Sequence, residues 1–110
     1  MSYSVVLTEH FKKEAKKLTK KYRSLRVELE ALGDELAENL TTGTPLGYGL
    51  YKMRLAIASK GKGKSGGARV ITLVRVVQQK VYLVSIYDKS QLKNLSKEQI
   101  QELLQQEDLE

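Results

Sequence analysis

The sequence predicts an α+β domain with the element order βααβββα, in which an N-terminal helical hairpin packs on one face of an antiparallel sheet. Between residues 9 and 40, apolar residues recur at spacings of three and four, as in amphipathic helices. Between residues 51 and 87, three runs alternate as half-buried strands do. The chain has 110 residues, which is long enough for a single domain, residues 1–110, with a buried core.

The first elements are a strand over residues 2–8 and a helix that Thr8 is placed to cap. The apolar stripe of this helix comprises Phe11, Ala15, Leu18 and Tyr22. Its opposite face is rich in lysine, which is either a second anion-binding surface or a solvated helix face.

Ser24 is expected to cap the second helix, whose leucine stripe starts at Leu25 and whose polar face is acidic. Residues 41–49, TTGTPLGYG, contain three glycines and the only proline, and are expected to form a loop. Strands are expected over residues 51–58, 69–77 and 81–87, with a hairpin turn at residues 78–80. A last helix is expected to begin at Ser96.

Positive charge is concentrated in the middle of the chain. The formal net charge is +6, yet residues 39–87 hold eight basic residues and no acidic one. Such a field indicates a polyanionic partner, most commonly nucleic acid. The absence of cysteine and the single histidine, His10, argue against a metal or other cofactor. No apolar run reaches the roughly 20 residues of a membrane span, and no signal peptide is visible, so we expect a cytoplasmic protein with no membrane partner.

Residues 59–67, SKGKGKSGG, form a glycine-rich cationic loop. The segment from Gly63 to Ser65 is superficially similar to a phosphate-binding P-loop. However, Ala58 occupies the position of the required first glycine and a strand follows the loop, so nucleotide hydrolysis is not expected. Contacts from Lys60, Lys62 and Lys64 to a nucleic-acid backbone are the better interpretation.

Strand alternation is expected to gather functional side chains on the open face of the sheet, away from the hairpin. Arginine suits phosphate, and tyrosine can stack on a base or act through its hydroxyl. The alternative is that Arg69 pairs with a carboxylate and Tyr87 fills a core edge. The candidate residues outside the loop are Lys52, Arg54, Arg69, Arg75, Tyr87 and Lys89.

The segment from residue 43 to residue 71, GTPLGYGLYKMRLAIASKGKGKSGGARVI, resembles the RelE/ParE superfamily of bacterial toxins, and most closely its HigB-like branch. The similarity lies in the strand KMRLA at residues 52–56, the loop end GKSGGARVI at residues 63–71 and IYDK at residues 86–89. Thr72 departs from relatives, which often have an aromatic residue there.

The resemblance implies a ribosome-dependent endoribonuclease that cleaves messenger RNA and is inhibited by a cognate antitoxin, usually of helix-turn-helix type. It assigns catalysis to Arg54, Lys60, Arg69, Tyr87 and Lys89. We further expect RNA binding by Lys52, Lys62, Lys64 and Arg75. A ParE-like toxin that binds gyrase and a non-catalytic nucleic-acid-binding module are the alternatives.

Overall fold

The computed structural model describes residues 3–61 and 63–109. Its strands are β1 Ser4–Leu7, β2 Thr44–Gly47, β3 Leu50–Leu55, β4 Ala68–Arg75 and β5 Lys80–Asp88. Its helices are α1 Glu9–Lys21, α2 Leu25–Glu38, the single turn α3 Gly63–Gly66 and α4 Lys97–Gln106, and a 3₁₀ turn spans Ala58–Lys60. The predicted α+β order is confirmed, with β2 and two short helical turns added to it.

The five strands form one sheet in the order β1-β5-β4-β3-β2. β1 runs parallel to β5, and the other pairs are antiparallel. The prediction of a loop over residues 41–49 was wrong, because β2 lies within it. The strand was not predicted because a proline, Pro45, argues against strand formation. Its missing N–H is tolerated because β2 is an edge strand that pairs only with β3.

The helical hairpin covers one face of the sheet, as predicted. Thr8 caps α1 by accepting a hydrogen bond from the Phe11 N–H at 3.1 Å, and its hydroxyl also donates to the Leu83 carbonyl at 2.9 Å. Ser24 is the N-cap residue of α2, as predicted, but its side chain makes no capping hydrogen bond. The buried core on this hairpin face comprises Phe11, Leu18, Leu25, Leu32, Leu36, Met53, Ile57, Ala68, Val70, Leu83 and Ile86.

The sequence led us to expect that the face opposite the hairpin is open. Instead, this face carries a second apolar cluster. Ser96 and Gln99 form a reciprocal capping box that starts α4. Ile100 of α4 is buried in this second cluster. The buried members of the α4-face cluster are Ile71, Leu73, Val84, Tyr87 and Ile100.

A β-bulge in the β4–β5 pairing reverses the alternation of side chains along β5. Ile71 pairs with Ser85, whereas the next residue of β4, Thr72, pairs with Leu83, which leaves Val84 as the extra residue. One extra residue moves all later side chains to the other face. Simple alternation along residues 81–87 predicts that Val84 and Ile86 share a face and that Tyr87 lies opposite Val84. The structure instead places Val84 and Tyr87 on one face and Ile86 on the other, so this prediction was wrong.

Candidate active site

Three of the candidate residues form a row across the sheet. Arg54 of β3 is the register partner of Arg69 of β4, and Arg69 is the partner of Tyr87 of β5. Directly opposed residues have Cβ atoms about 4.5–5.5 Å apart. Because Val70 and Ile86 point into the hairpin-face core, the row lies on the opposite face, the α4 face. It lies beside the glycine-rich cationic loop of residues 59–67, called the basic loop below.

The two arginines differ in exposure. Arg54 is exposed, whereas Arg69 is only 8% exposed and donates a hydrogen bond from Nη1 to the Ala68 carbonyl at 3.1 Å. The prediction that Arg69 is an open-face charge was wrong, because its side chain is buried on β4, which lies between β3 and β5. The pair thus combines a guanidinium held by the protein with one that is free to meet a ligand.

Tyr87 does not reach over an open groove. The residue is 7% exposed and belongs to the α4-face cluster with Ile71 and Ile100. Its hydroxyl is buried beside the backbone N–H of Leu95, outside hydrogen-bond geometry with any residue described. Burial raises the pKa of Tyr87, and the Leu95 N–H and the charge of Arg69 offset this only in part. The side chain of Tyr87 is thus a packing residue at one end of the row.

Two candidate lysines lie near the row. Lys52 precedes Arg54 by two residues and therefore shares its face, and its Nζ donates to Asn94 Oδ1 at 3.1 Å. Lys89 directly follows β5, where its backbone N–H donates to the Gly67 carbonyl at 3.1 Å. Both side chains are partly exposed. The structure thus gathers these two cations at the same end of the sheet as the arginines.

Lys60 is separated from the row. Its Nζ lies 2.5 Å from Asp88 Oδ1 and 3.1 Å from Ser90 Oγ, and only 8% of its side chain is exposed. The Asp88 side chain is fully buried and also accepts a hydrogen bond from the Tyr22 hydroxyl at 2.5 Å. Because Asp88 alternates with Tyr87, this ion pair lies on the hairpin face.

The electrostatics of this pair follow from its contacts. Burial alone would raise the pKa of Asp88, but the hydrogen bonds from Lys60, Tyr22 and Ser90 outweigh burial and hold that pKa far below its usual range. The hydrogen bond to Asp88 is the main cause of a raised pKa at Tyr22. Neither Asp88 nor Tyr22 was among the site residues predicted from the sequence. Asp88 is nevertheless the first carboxylate after residues 39–87, which contain no acidic residue.

The remaining candidates are Lys62, Lys64 and Arg75. Lys62 lies outside the described residues, as does the side chain of Lys64. Arg75 lies at the far end of β4, six residues and roughly 20 Å from Arg69. There its Nη2 donates to the Leu109 carbonyl.

Two further findings concern metal-ligating groups and membrane-spanning helices among the described residues. Over residues 3–61 and 63–109, no group of three or more histidine and acidic side chains is arranged to ligate a metal ion. Within the same ranges, no helix combines the length and apolar character needed to cross a membrane.

Comparison with known proteins gives one family match and several structural ones. The family model described as "RelE toxin of RelE / RelB toxin-antitoxin system" matches residues 4–107. A mutant of the E. coli toxin RelE in the free state superimposes with a TM-score of 0.64 at 20% identity, covering 96% of this chain and 98% of that one. The isolated E. coli RelE toxin gives 0.60 at 19% identity, with the same coverage. These structural likenesses concern the fold.

Proposed function

The chain belongs to the RelE toxin family, and we propose that it cleaves messenger RNA with the cationic end of its sheet, centred on Arg54 and Arg69. Toxins of this family are ribosome-dependent endoribonucleases that are paired with an antitoxin. The observation that carries the assignment to these residues is the register pairing of Arg54 with Arg69, which sets two guanidinium-bearing residues opposite each other beside the basic loop.

The proposed reaction is attack of a ribose 2′-oxygen on the adjacent phosphorus, with departure of the 5′-oxygen of the next nucleotide. Negative charge develops on the phosphoryl oxygens, and the fixed guanidinium of Arg69 stabilises it, since preorganised donors need no rearrangement. Exposed Arg54 first binds the phosphate. The ribosome supplies the in-line alignment.

Two protons must move in this reaction. One leaves the 2′-hydroxyl and one is delivered to the departing 5′-oxygen. We assign these transfers to basic side chains around the row, among which Lys89 directly follows the last residue of β5. Tyr87 contributes through its ring, which packs in the α4-face cluster at the end of the row, because its hydroxyl is buried. Lys52, Lys62 and Lys64 bind the RNA backbone, whereas RNA contact by Arg75 stays a prediction.

The motifs at residues 52–56, 63–71 and 86–89 support a HigB-like branch within the family, with residues 1–110 as one toxin domain. On the same ground we propose a helix-turn-helix antitoxin as the inhibitor. Since ribosomes are the site of action, the proposed location is the cytoplasm.

A cell-free translation reaction, scored by primer extension on the message, tests the function. The wild-type chain should produce new 5′ ends on the message when ribosomes are present and none on the same naked RNA. Inhibition of gyrase supercoiling without cleavage would favour the ParE-like alternative. Binding of RNA without cleavage or inhibition would favour a non-catalytic module.

A further inference from the structure

We propose that Asp88 is a positioning residue for message cleavage, which holds Lys60 and thereby fixes the basic loop at the corner between α1 and α2. The inference rests on the proposed function. In this account Lys60 does not touch the RNA but anchors the segment that carries Lys62 and Lys64.

The first support is that one buried carboxylate, Asp88, accepts several hydrogen bonds. Oδ1 of Asp88 accepts from Lys60 Nζ at 2.5 Å and from the Ser90 hydroxyl at 2.7 Å, while Oδ2 accepts from the Tyr22 hydroxyl at 2.5 Å. Lys21 Nζ adds a longer contact at 3.9 Å. A buried charge of this kind persists only when several partners satisfy it. Asp88 thus joins the end of α1, the start of the loop and the end of β5.

A second set of bonds fixes the 3₁₀ turn that precedes the loop. Glu28 Oε2 accepts from the Ala58 N–H at 2.7 Å, and Ser24 Oγ accepts from the Ser59 N–H at 2.9 Å. Ser24 is therefore used to hold this turn rather than to cap α2. Both sets of bonds attach Ala58–Lys60 to the start of α2 and the end of α1.

The other end of the loop is also fixed. Ala68 is the register partner of Asp88, and the Gly67 carbonyl accepts from the Lys89 N–H at 3.1 Å. A Cβ atom on Gly67 would lie 2.2 Å from the Leu55 carbonyl oxygen, so only glycine allows β3 and the loop to approach this closely. Asp88 and its neighbour Lys89 thus secure both ends of a loop that leads directly into Arg69.

A loop held at both ends can present its lysines to the message with little loss of conformational freedom on binding. Release of Lys60 would leave the bonds from Ser24 and Glu28 to hold the 3₁₀ turn. A displacement of about 1 Å at a catalytic site can cost roughly 100-fold in rate. Asp88 therefore affects the reaction through the position of the loop.

The test compares Asp88→Asn, Lys60→Met and the double variant with the wild type. Each single change leaves a buried partner unmatched and should lower the melting temperature, whereas the double change removes both charges and should recover part of that loss. Single-turnover cleavage at saturating ribosome concentration should fall about 100-fold in all three proteins. Hydrogen exchange should accelerate at the Lys60 and Gly61 amides while β4 stays protected.

Asp34→Asn is the matched control, because it removes a carboxylate from the exposed surface of α2. This control should cleave at the wild-type rate. If the cleavage rate of the double variant recovered together with its melting temperature, Asp88 and Lys60 would serve only the stability of the fold. That result would overturn the inference. A wild-type rate in Asp88→Asn would overturn it as well. In either case cleavage by the wild type would leave the proposed function standing, whereas its absence in the wild type would reject that function.

Discussion

Arg54 and Arg69 are register partners across β3 and β4, which sets two like charges directly opposite each other on one face of the sheet. Such a pair destabilises a sheet unless an anion lies between the charges. Arg69 is held within the protein and Arg54 is exposed, so a phosphate can approach from the side of Arg54. A phosphate bound between the two guanidinium groups would thus reduce their mutual repulsion, which favours a polyanionic ligand.

Replacing Arg54 by glutamine should therefore stabilise the free protein and weaken its activity. Removal of the opposed charge should raise the free energy of unfolding by about 0.2–1 kcal/mol. The same change should reduce message cleavage, since the phosphate loses a donor. Urea unfolding and cleavage on ribosomes measure the two effects. A variant that loses both stability and activity would show that Arg54 is a structural residue instead.

Tyr87 should tolerate the loss of its hydroxyl but not of its ring. Tyr87→Phe removes a buried hydroxyl that lacks a hydrogen bond, so stability should be unchanged or slightly higher, and cleavage should stay near the wild-type rate. Tyr87→Ala should cost about 3–5 kcal/mol of stability, as large aromatic truncations do. Thermal unfolding with single-turnover cleavage distinguishes the two. A 100-fold slower Tyr87→Phe protein would mean that the hydroxyl takes part in the reaction.

Asp88 should dominate the acid limit of stability. Its pKa is depressed in the folded protein, so the Asp88 contribution is present above the unfolded-state pKa of about 3.9 and is lost as pH falls towards the folded-state value. Denaturant unfolding from pH 7 down to pH 2 should show a smaller loss of stability in Asp88→Asn than in the wild type. Equal losses in the two proteins would indicate that the carboxylate is not specifically stabilised.

The loop lysines should differ in their effect on salt dependence. Lys62→Gln and Lys64→Gln should each lower the slope of log affinity against log salt for ribosome binding by about 0.7, because each contact to single-stranded RNA releases counterions. Lys60→Gln should change this slope little, since its ammonium is bound to Asp88. A fluorescence binding titration over a range of KCl concentrations gives the slopes. If Lys60→Gln alone altered the slope, Lys60 would be an RNA contact.

Local signals predicted the fold well. The caps at Thr8 and Ser96 were predictable because a cap depends on a few neighbouring residues. The register neighbours Arg54 and Arg69 were also predictable, since the glycine-rich loop joins two alternating strands that are consecutive in the chain.

Tyr87 lies on the predicted face, away from the hairpin, but the sequence does not reveal that the side chain is buried there. The face of Val84 is also hidden in the sequence, because the bulge depends on how β5 pairs with β4. The apolar stripe of α4 likewise does not specify which face of the sheet the helix covers. Lys60 was grouped with the arginines because alternation gives no direction for a side chain in a loop, and its contact with Asp88 spans 28 residues.

The most direct test of the central claim is single-turnover cleavage of a message on saturating programmed ribosomes by wild type, Arg69→Gln and the control Lys13→Gln. Lys13 is exposed on α1, so the control removes one surface charge at a distance from the row. Melting curves and ribosome binding confirm that each variant is folded and bound. We predict that Arg69→Gln lowers the cleavage rate by roughly 100- to 1,000-fold, as removal of one transition-state donor does elsewhere, while Lys13→Gln matches the wild type. Wild-type cleavage by a folded, ribosome-bound Arg69→Gln protein would contradict the assignment of catalysis to the cationic end of the sheet centred on Arg54 and Arg69.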